Sequence, residues 1–127
     1  MAGSKGSKYY NVFLRYTLNL EDSSDKSILD AEGFELLIKI RKLKSIVAAA
    51  KEMGISYRKA WGIINTVEKS LGFPLVHKHR GGAEGGSTEL SGEGEQLIDG
   101  YTELSDQFDR ATSEIARKFF RTINEKK

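Results

Sequence analysis

SIVAAAKEMGISYRKAWGIINTVEKSL, residues 45–71, is the stretch whose reading decides the fold. Ser45 stands where an N-cap belongs before IVAAAKEM, and Gly54 stops that short helix. Ser56 caps a second helix predicted to run to about Leu71, which Gly72 ends and Pro74 keeps from continuing. Two short helices meeting at roughly 100° need small residues at the crossing and a turn residue that tolerates positive φ. Ala49 and Ala50 fill the first need and Gly54 the second. Met53, Ile55 and Ala60 then face inward, and Ile64, Val67 and Leu71 extend the apolar stripe along the second helix.

The opposite side of that helix carries Tyr57, Arg58, Lys59, Trp61 and Asn65, mostly in its first turns. Arg and Lys suit guanine or phosphate, and Asn pairs bidentately with adenine. Taken singly, each cation reads as ordinary surface and Trp61 as a core residue. Grouped at the start of the second helix of such a pair, they predict a helix that enters the DNA major groove N-terminus first. Ser45 and Ser56, at the two helix starts, complete the predicted contact set on this side.

Working outward, Asp30 is the expected N-cap of an earlier helix over 31–43, with Phe34, Leu37, Ile38 and Leu43 on its buried stripe. Residues 9–20, YYNVFLRYTLNL, alternate Val12, Leu14, Tyr16, Leu18 and Leu20, the period of a half-buried strand. EDSSDKS then reads as a turn, and Ile28-Leu29 as the start of a returning strand. Downstream, LVHKHR reads as a strand, GGAEGGS as a loop and TEL as a short return. Lys78 and Arg80 alternate onto one face of that hairpin, where they would meet the sugar-phosphate backbone. The glycines let the tip approach closely. From about Ser91 a last helix is expected to run near residue 122.

The fold class is therefore mainly α with a small β component: a winged helix-turn-helix with an amino-terminal strand or hairpin and a long carboxy-terminal helix. The expected organisation is a disordered leader over 1–8, the winged domain over 9–90, a dimerisation helix over 91–122 and a tail over 123–127. On the last helix Leu97, Tyr101, Leu104, Phe108, Ala111, Ile115 and Phe119 form a heptad-like seam. A helix over 92–122 is about 45 Å long, more than such a domain can cover, so the seam predicts pairing with a second copy.

Composition bounds the rest. The chain has 127 residues, 39% of them hydrophobic, a formal net charge of +2 and no cysteine. Disulfides and thiolate metal sites are thereby excluded, no run suits a membrane span, and the cytoplasm is the expected location. Charge is unevenly spread: residues 41–80 hold 9 Lys+Arg against 2 Asp+Glu, whereas 81–106 hold 7 acids and no Lys or Arg. Such a chain can concentrate a basic face while staying nearly neutral.

Competing chemistries fit poorly. The glycine-rich loop lacks the lysine and the directly following helix of a nucleotide-binding loop. His77 and His79 have no third ligand at credible spacing, so no metal and no cofactor is expected. Ser56-Tyr57-Arg58-Lys59 matches a serine-x-x-lysine pattern, yet its companion motifs are absent and Ser56 is better used as a cap; no enzymatic activity is expected. A winged-helix module for protein–protein assembly, with an incidental basic face, is the alternative reading. No small-molecule effector can be named.

SYRKAW at 56–61, LGFPLV at 71–76, the RGG…GG loop at 80–86 and TELSGEG at 88–94 together closely resemble the amino-terminal domain of the ModE family of molybdate-responsive regulators. LysR-type regulators share the looser outline. The resemblance covers about residues 9–105 and implies a winged-helix dimer on a roughly palindromic operator. Ser56, Tyr57, Arg58, Lys59 and Trp61 would lie at its reading end. Full-length ModE proteins carry a carboxy-terminal molybdate-binding region, which would begin about where these 127 residues end. Molybdate binding is therefore not expected of the residues present.

Overall fold

Three N-caps organise the helical part of the chain, as seen in a computed structural model that describes residues 8–79 and 86–125. Asp30 accepts from the Gly33 amide and opens α1, Ala31–Leu43; Ser45 accepts from Ala48 and opens α2, Ile46–Met53; Ser56 accepts from Lys59 and opens α3, Tyr57–Leu71. Each side chain satisfies a backbone donor that a helix start leaves orphaned. Gly54 and Gly72 close α2 and α3 with φ of 71° and 87°, the left-handed region that glycine enters without strain.

Leu18–Tyr101 form one compact unit. It opens with a hairpin of β1, Leu20–Glu21, and β2, Ser27–Leu29, paired antiparallel. The turn between them is held by Asp22, whose carboxylate accepts from the Ser24 amide and hydroxyl and the Lys26 amide. After α3 come β3, Val76–His79, and β4, Ser87–Leu90, in antiparallel register with Val76 opposite Leu90 and Lys78 opposite Thr88. This second hairpin is the expected wing. Its core is continuous with the helices: Phe34, Leu36, Leu37, Ile40, Ala49, Ala60, Ile64 and Leu75 are all buried in one cluster. The buried face of α1 is broader than its sequence stripe, because α1 contacts α2, α3, β2 and β4.

The last helix, α4, runs over Gly92–Glu125. Ser91 starts it, its hydroxyl accepting from the Gly94 amide at 3.0 Å while donating to the Pro74 carbonyl at 2.7 Å. Gly94 lies so close to β3 that a Cβ there would meet the Leu75 carbonyl oxygen at 2.4 Å. In its first turns Leu97 and Tyr101 pack against the core cluster, and Tyr101 stacks on Phe34 with ring centroids 3.7 Å apart.

A second unit gathers the described residues 8–17 and 102–125. Here the structure departs from expectation. The strand predicted over 9–20 is confined to Leu20–Glu21; before it, Val12 N–H closes a turn on the Tyr9 carbonyl, and 14–19 have no ladder partners. Val12, Phe13, Leu14 and Tyr16 are all exposed, so neither parity of the alternating pattern is covered. Tyr16 packs on Phe108 and its hydroxyl donates to the Asp109 carboxylate. Leader residues 1–7 and the tail positions 126–127 lie outside the described residues.

Candidate nucleic-acid interface

The geometry begins with α3. Its first turn contains no acid, and Tyr57, Arg58 and Lys59 are all exposed there, with Asn65 two turns further on. The uncompensated positive end of the helix dipole and two cations therefore point the same way. Lys59 is not unengaged: its ammonium lies 3.4 Å from Glu32 Oε2 at the start of α1. Both groups are exposed, so the pair is weak and easily exchanged for a phosphate partner. Arg58 makes no ion pair with a described residue.

Trp61 divides the two readings given to it. It is half-buried and packs against the core cluster, while its ring still meets Tyr57 edge-on, centroids 6.4 Å apart. Lys78 reaches across from β3, its ammonium 4.8 Å from the Trp61 ring centre and 3.3 Å from the Tyr57 hydroxyl. Hydrogen bonding with Trp61 and then Lys78 draws the Tyr57 phenol below its ordinary pKa. The wing base and the start of α3 are thus tied into one cationic, aromatic cluster, a proximity that nothing in the spacing of 57, 61 and 78 announces.

The wing's attachment is equally specific. Glu68 on α3 accepts from the Leu75 and Val76 amides at 2.7 and 3.2 Å, and Thr88 N–H donates to the Lys44 carbonyl at 3.0 Å. Sequence reasoning missed Glu68, since a lone acid on a helix flank carries no signal of its backbone partners. On the outer face of the hairpin His79 bonds Glu89 at 2.7 Å, which holds that carboxylate below its usual range. No group of three or more potential metal ligands occurs among the described residues. Arg80 and the glycines at 81, 82 and 85 lie outside the described residues.

The seam positions separate along α4. Leu97 and Tyr101 are half-buried in the winged unit, whereas Leu104, Phe108, Ile115 and Phe119 are 40–62% exposed and Ala111 is exposed between them. Ala116 and Phe120 are buried instead. Among the described residues no helix is long and apolar enough to cross a membrane.

The model of the bacterial regulatory helix-turn-helix proteins of the lysR family matches residues 32–95. Over 73 residues the chain is 40% identical to the molybdenum-pterin-binding protein MopB of Rhodobacter capsulatus, covering 58% of this chain and 27% of that protein. It is 30% identical over 97 residues to the molybdenum transport protein ModE of Azotobacter vinelandii, covering 76% and 36%. With the DNA-binding transcriptional dual regulator ModE of Escherichia coli it shares 36% over 89 residues, covering 70% and 33%. The resemblance read from SYRKAW, LGFPLV and TELSGEG is thereby found. The chain spans only 27–36% of the length of these three relatives. Among solved structures it is similar to the BenM DNA-binding domain in its complex with benA site 1 DNA, with a TM-score of 0.53 and 20% identity over 66% of this chain and 89% of that one. At that identity the likeness establishes the fold, a winged helix.

Proposed function

This chain belongs to the bacterial regulatory helix-turn-helix proteins of the lysR family, and from that premise we propose that it is a sequence-specific DNA-binding transcriptional regulator acting as a homodimer. The observation that carries the reading is the start of α3, a capped, acid-free helix end that offers Tyr57, Arg58 and Lys59 to solvent. Placed in a major groove, Arg58 and Asn65 read base edges, and the wing base with Lys78 meets the backbone. Arg80 belongs with Lys78 by its strand parity. The reading requires no catalysis and places the protein in the cytoplasm with its DNA.

The second copy is called for by α4. Exposed Leu104, Phe108, Ala111, Ile115 and Phe119 recur on one side. In an antiparallel pair centred between Asp109 and Arg110, Asp109 lies opposite the partner's Arg110 and Glu103 lies beside the partner's Arg117. The same pairing places Leu104 opposite Ile115 and Phe108 opposite Ala111, large against small. Leu97 and Tyr101, already used by the winged unit, contribute only at the margin.

Selection of bound sequences from random duplex DNA tests the whole reading. The expected outcome is an enriched, roughly palindromic motif with half-sites about one helical turn apart. Recovery of no motif, with no mobility shift at micromolar protein and low salt, would reject it.

A further inference from the structure

A cleft of about 460 Å³ opens between the end of β2, the start of α1 and the middle of α3. Its volume falls among those of small-molecule sites, about 300–1,000 Å³. All its walls belong to the Leu18–Tyr101 unit. Ile28, Leu29, Ile63 and Val67 supply its apolar part, Leu29 and Val67 buried and the two isoleucines half-buried. Gly62 is an independent observation. It stands in the middle of α3, where glycine weakens a helix relative to alanine. A Cβ there would meet nothing within 4 Å, so no described neighbour requires the glycine. The position is exposed and lines the cleft. α3 thus gives up helix stability where the missing side chain keeps the cleft open.

Charge narrows the occupant. Asp30, Glu32 and Lys59 are the charged side chains lining the cleft among the described residues. Asp30 is committed to α1, its Oδ1 accepting from the Gly33 amide at 3.0 Å. Glu32 Oε2 lies 3.4 Å from the Lys59 ammonium, and both side chains are exposed. An exposed pair of this kind is exchanged at little cost. Two acids against one base leave the cleft with an excess of negative charge.

We infer that the cleft is a binding site for a small amphipathic amine, its apolar body against Ile28, Ile63 and Val67 and its ammonium on the Glu32 carboxylate. A carboxylate-bearing ligand would face both acids and find Lys59 already paired. The amine displaces Lys59 from Glu32 and so releases a cation that the regulator reading assigns to DNA. Occupancy and DNA affinity are therefore coupled, each raising the other. Only this coupling rests on the regulator reading; the cleft and its ligand class stand apart from it.

Phenethylamine and 3-phenylpropionate, which share a ring and a two-carbon arm and differ in the sign of their charge, are the probes. Each is titrated into the full chain at constant pH and ionic strength, and the amide shifts of Gly33, Gly62 and Thr66 read the cleft. Phenethylamine is expected to saturate at roughly millimolar concentration, with 3-phenylpropionate about fivefold weaker. Glu32→Gln should erase the preference between the two. Gly62→Leu, which fills the cleft from a position with open space around it, should abolish both responses while circular dichroism shows the helices intact. Response to neither probe overturns the site, and equal response to both overturns the amine assignment. With a selected duplex, saturating phenethylamine should tighten binding of wild type about two- to fivefold and leave Glu32→Gln unchanged. Unchanged affinity of wild type, or tightening that persists in Glu32→Gln, overturns the coupling. If wild type binds no duplex, the regulator reading fails, and the amine titration still decides the cleft.

Discussion

Replacing Gly94 by alanine should destabilise the winged unit although it adds only a methyl group to a helix. The new Cβ would stand 2.4 Å from the Leu75 carbonyl oxygen and 3.3 Å from Leu90 Cβ. Leu75 has nowhere to go. Its amide is held by Glu68 at 2.7 Å, its carbonyl accepts from Ser91 N–H at 2.8 Å, and the Pro74 carbonyl beside it is tied to the Ser91 hydroxyl. Overpacking of this kind costs about 1–3 kcal/mol, and displacing the Ser91–Leu75 hydrogen bond adds about 1 kcal/mol. The better helix propensity of alanine offsets about 1 kcal/mol. The expected net loss is about 1–3 kcal/mol, which for a chain of 127 residues lowers Tm by roughly 4–11 °C. Gly100, on the same helix with nothing within 4 Å of a Cβ, is the control. Gly100→Ala should raise Tm by roughly 2–4 °C through propensity alone. Thermal melts by circular dichroism read both. A Gly94→Ala protein as stable as Gly100→Ala would show that the close approach of α4 to β3 is wrong.

Three further outcomes are expected. Phe108 is 44% exposed; with about 200 Å² on a phenylalanine, covering that share in both copies is worth about 4 kcal/mol, so Phe108→Ala should weaken self-association by roughly 10²–10³-fold. Sedimentation over a concentration series checks this, and a tenfold or smaller change contradicts the seam. Arg58→Ala should cost about 1–3 kcal/mol on the selected duplex and little on random DNA; equal losses on both would make it a backbone contact. The Asp22 carboxylate is held below its usual range, first by the Ser24 hydroxyl and then by the Ser24 and Lys26 amides. A depressed folded pKa contributes stability that is present above the unfolded value and lost as pH falls through the folded one. The β1–β2 turn should therefore loosen on acidification into and below the carboxylate range. Amide shifts of Ser24 and Lys26 should report this, and Asp22→Asn should abolish the pH dependence.

How much was legible in the sequence follows from how local each cause is. Asp30, Ser45 and Ser56 act within three residues of themselves, and Gly54 and Gly72 within one turn, so the helix boundaries could be read directly. The wing strands followed from the turn chemistry between them. Leu36 and Ile40 were missed because α1 is covered by four neighbouring elements, which widens its buried arc beyond a single stripe. The segment 9–20 has the alternation of a strand but no ladder partner over 14–19, and pattern alone cannot supply one. In the candidate interface, Tyr57, Arg58 and Lys59 were legible from their place on a capped helix. The Lys78–Tyr57–Trp61 cluster depends on how the wing folds back, a tertiary fact with no local signature.

The carboxylate of Glu68 grips main-chain amides at Leu75 and Val76, not side chains. The first residues of the wing are thus registered by atoms that every residue except proline possesses. Outward positions such as His77 and His79 can then be exchanged over evolutionary time without the strand slipping. A wing anchored this way can change the side chains on its outer face by point substitution while its attachment to α3 through Glu68 is kept.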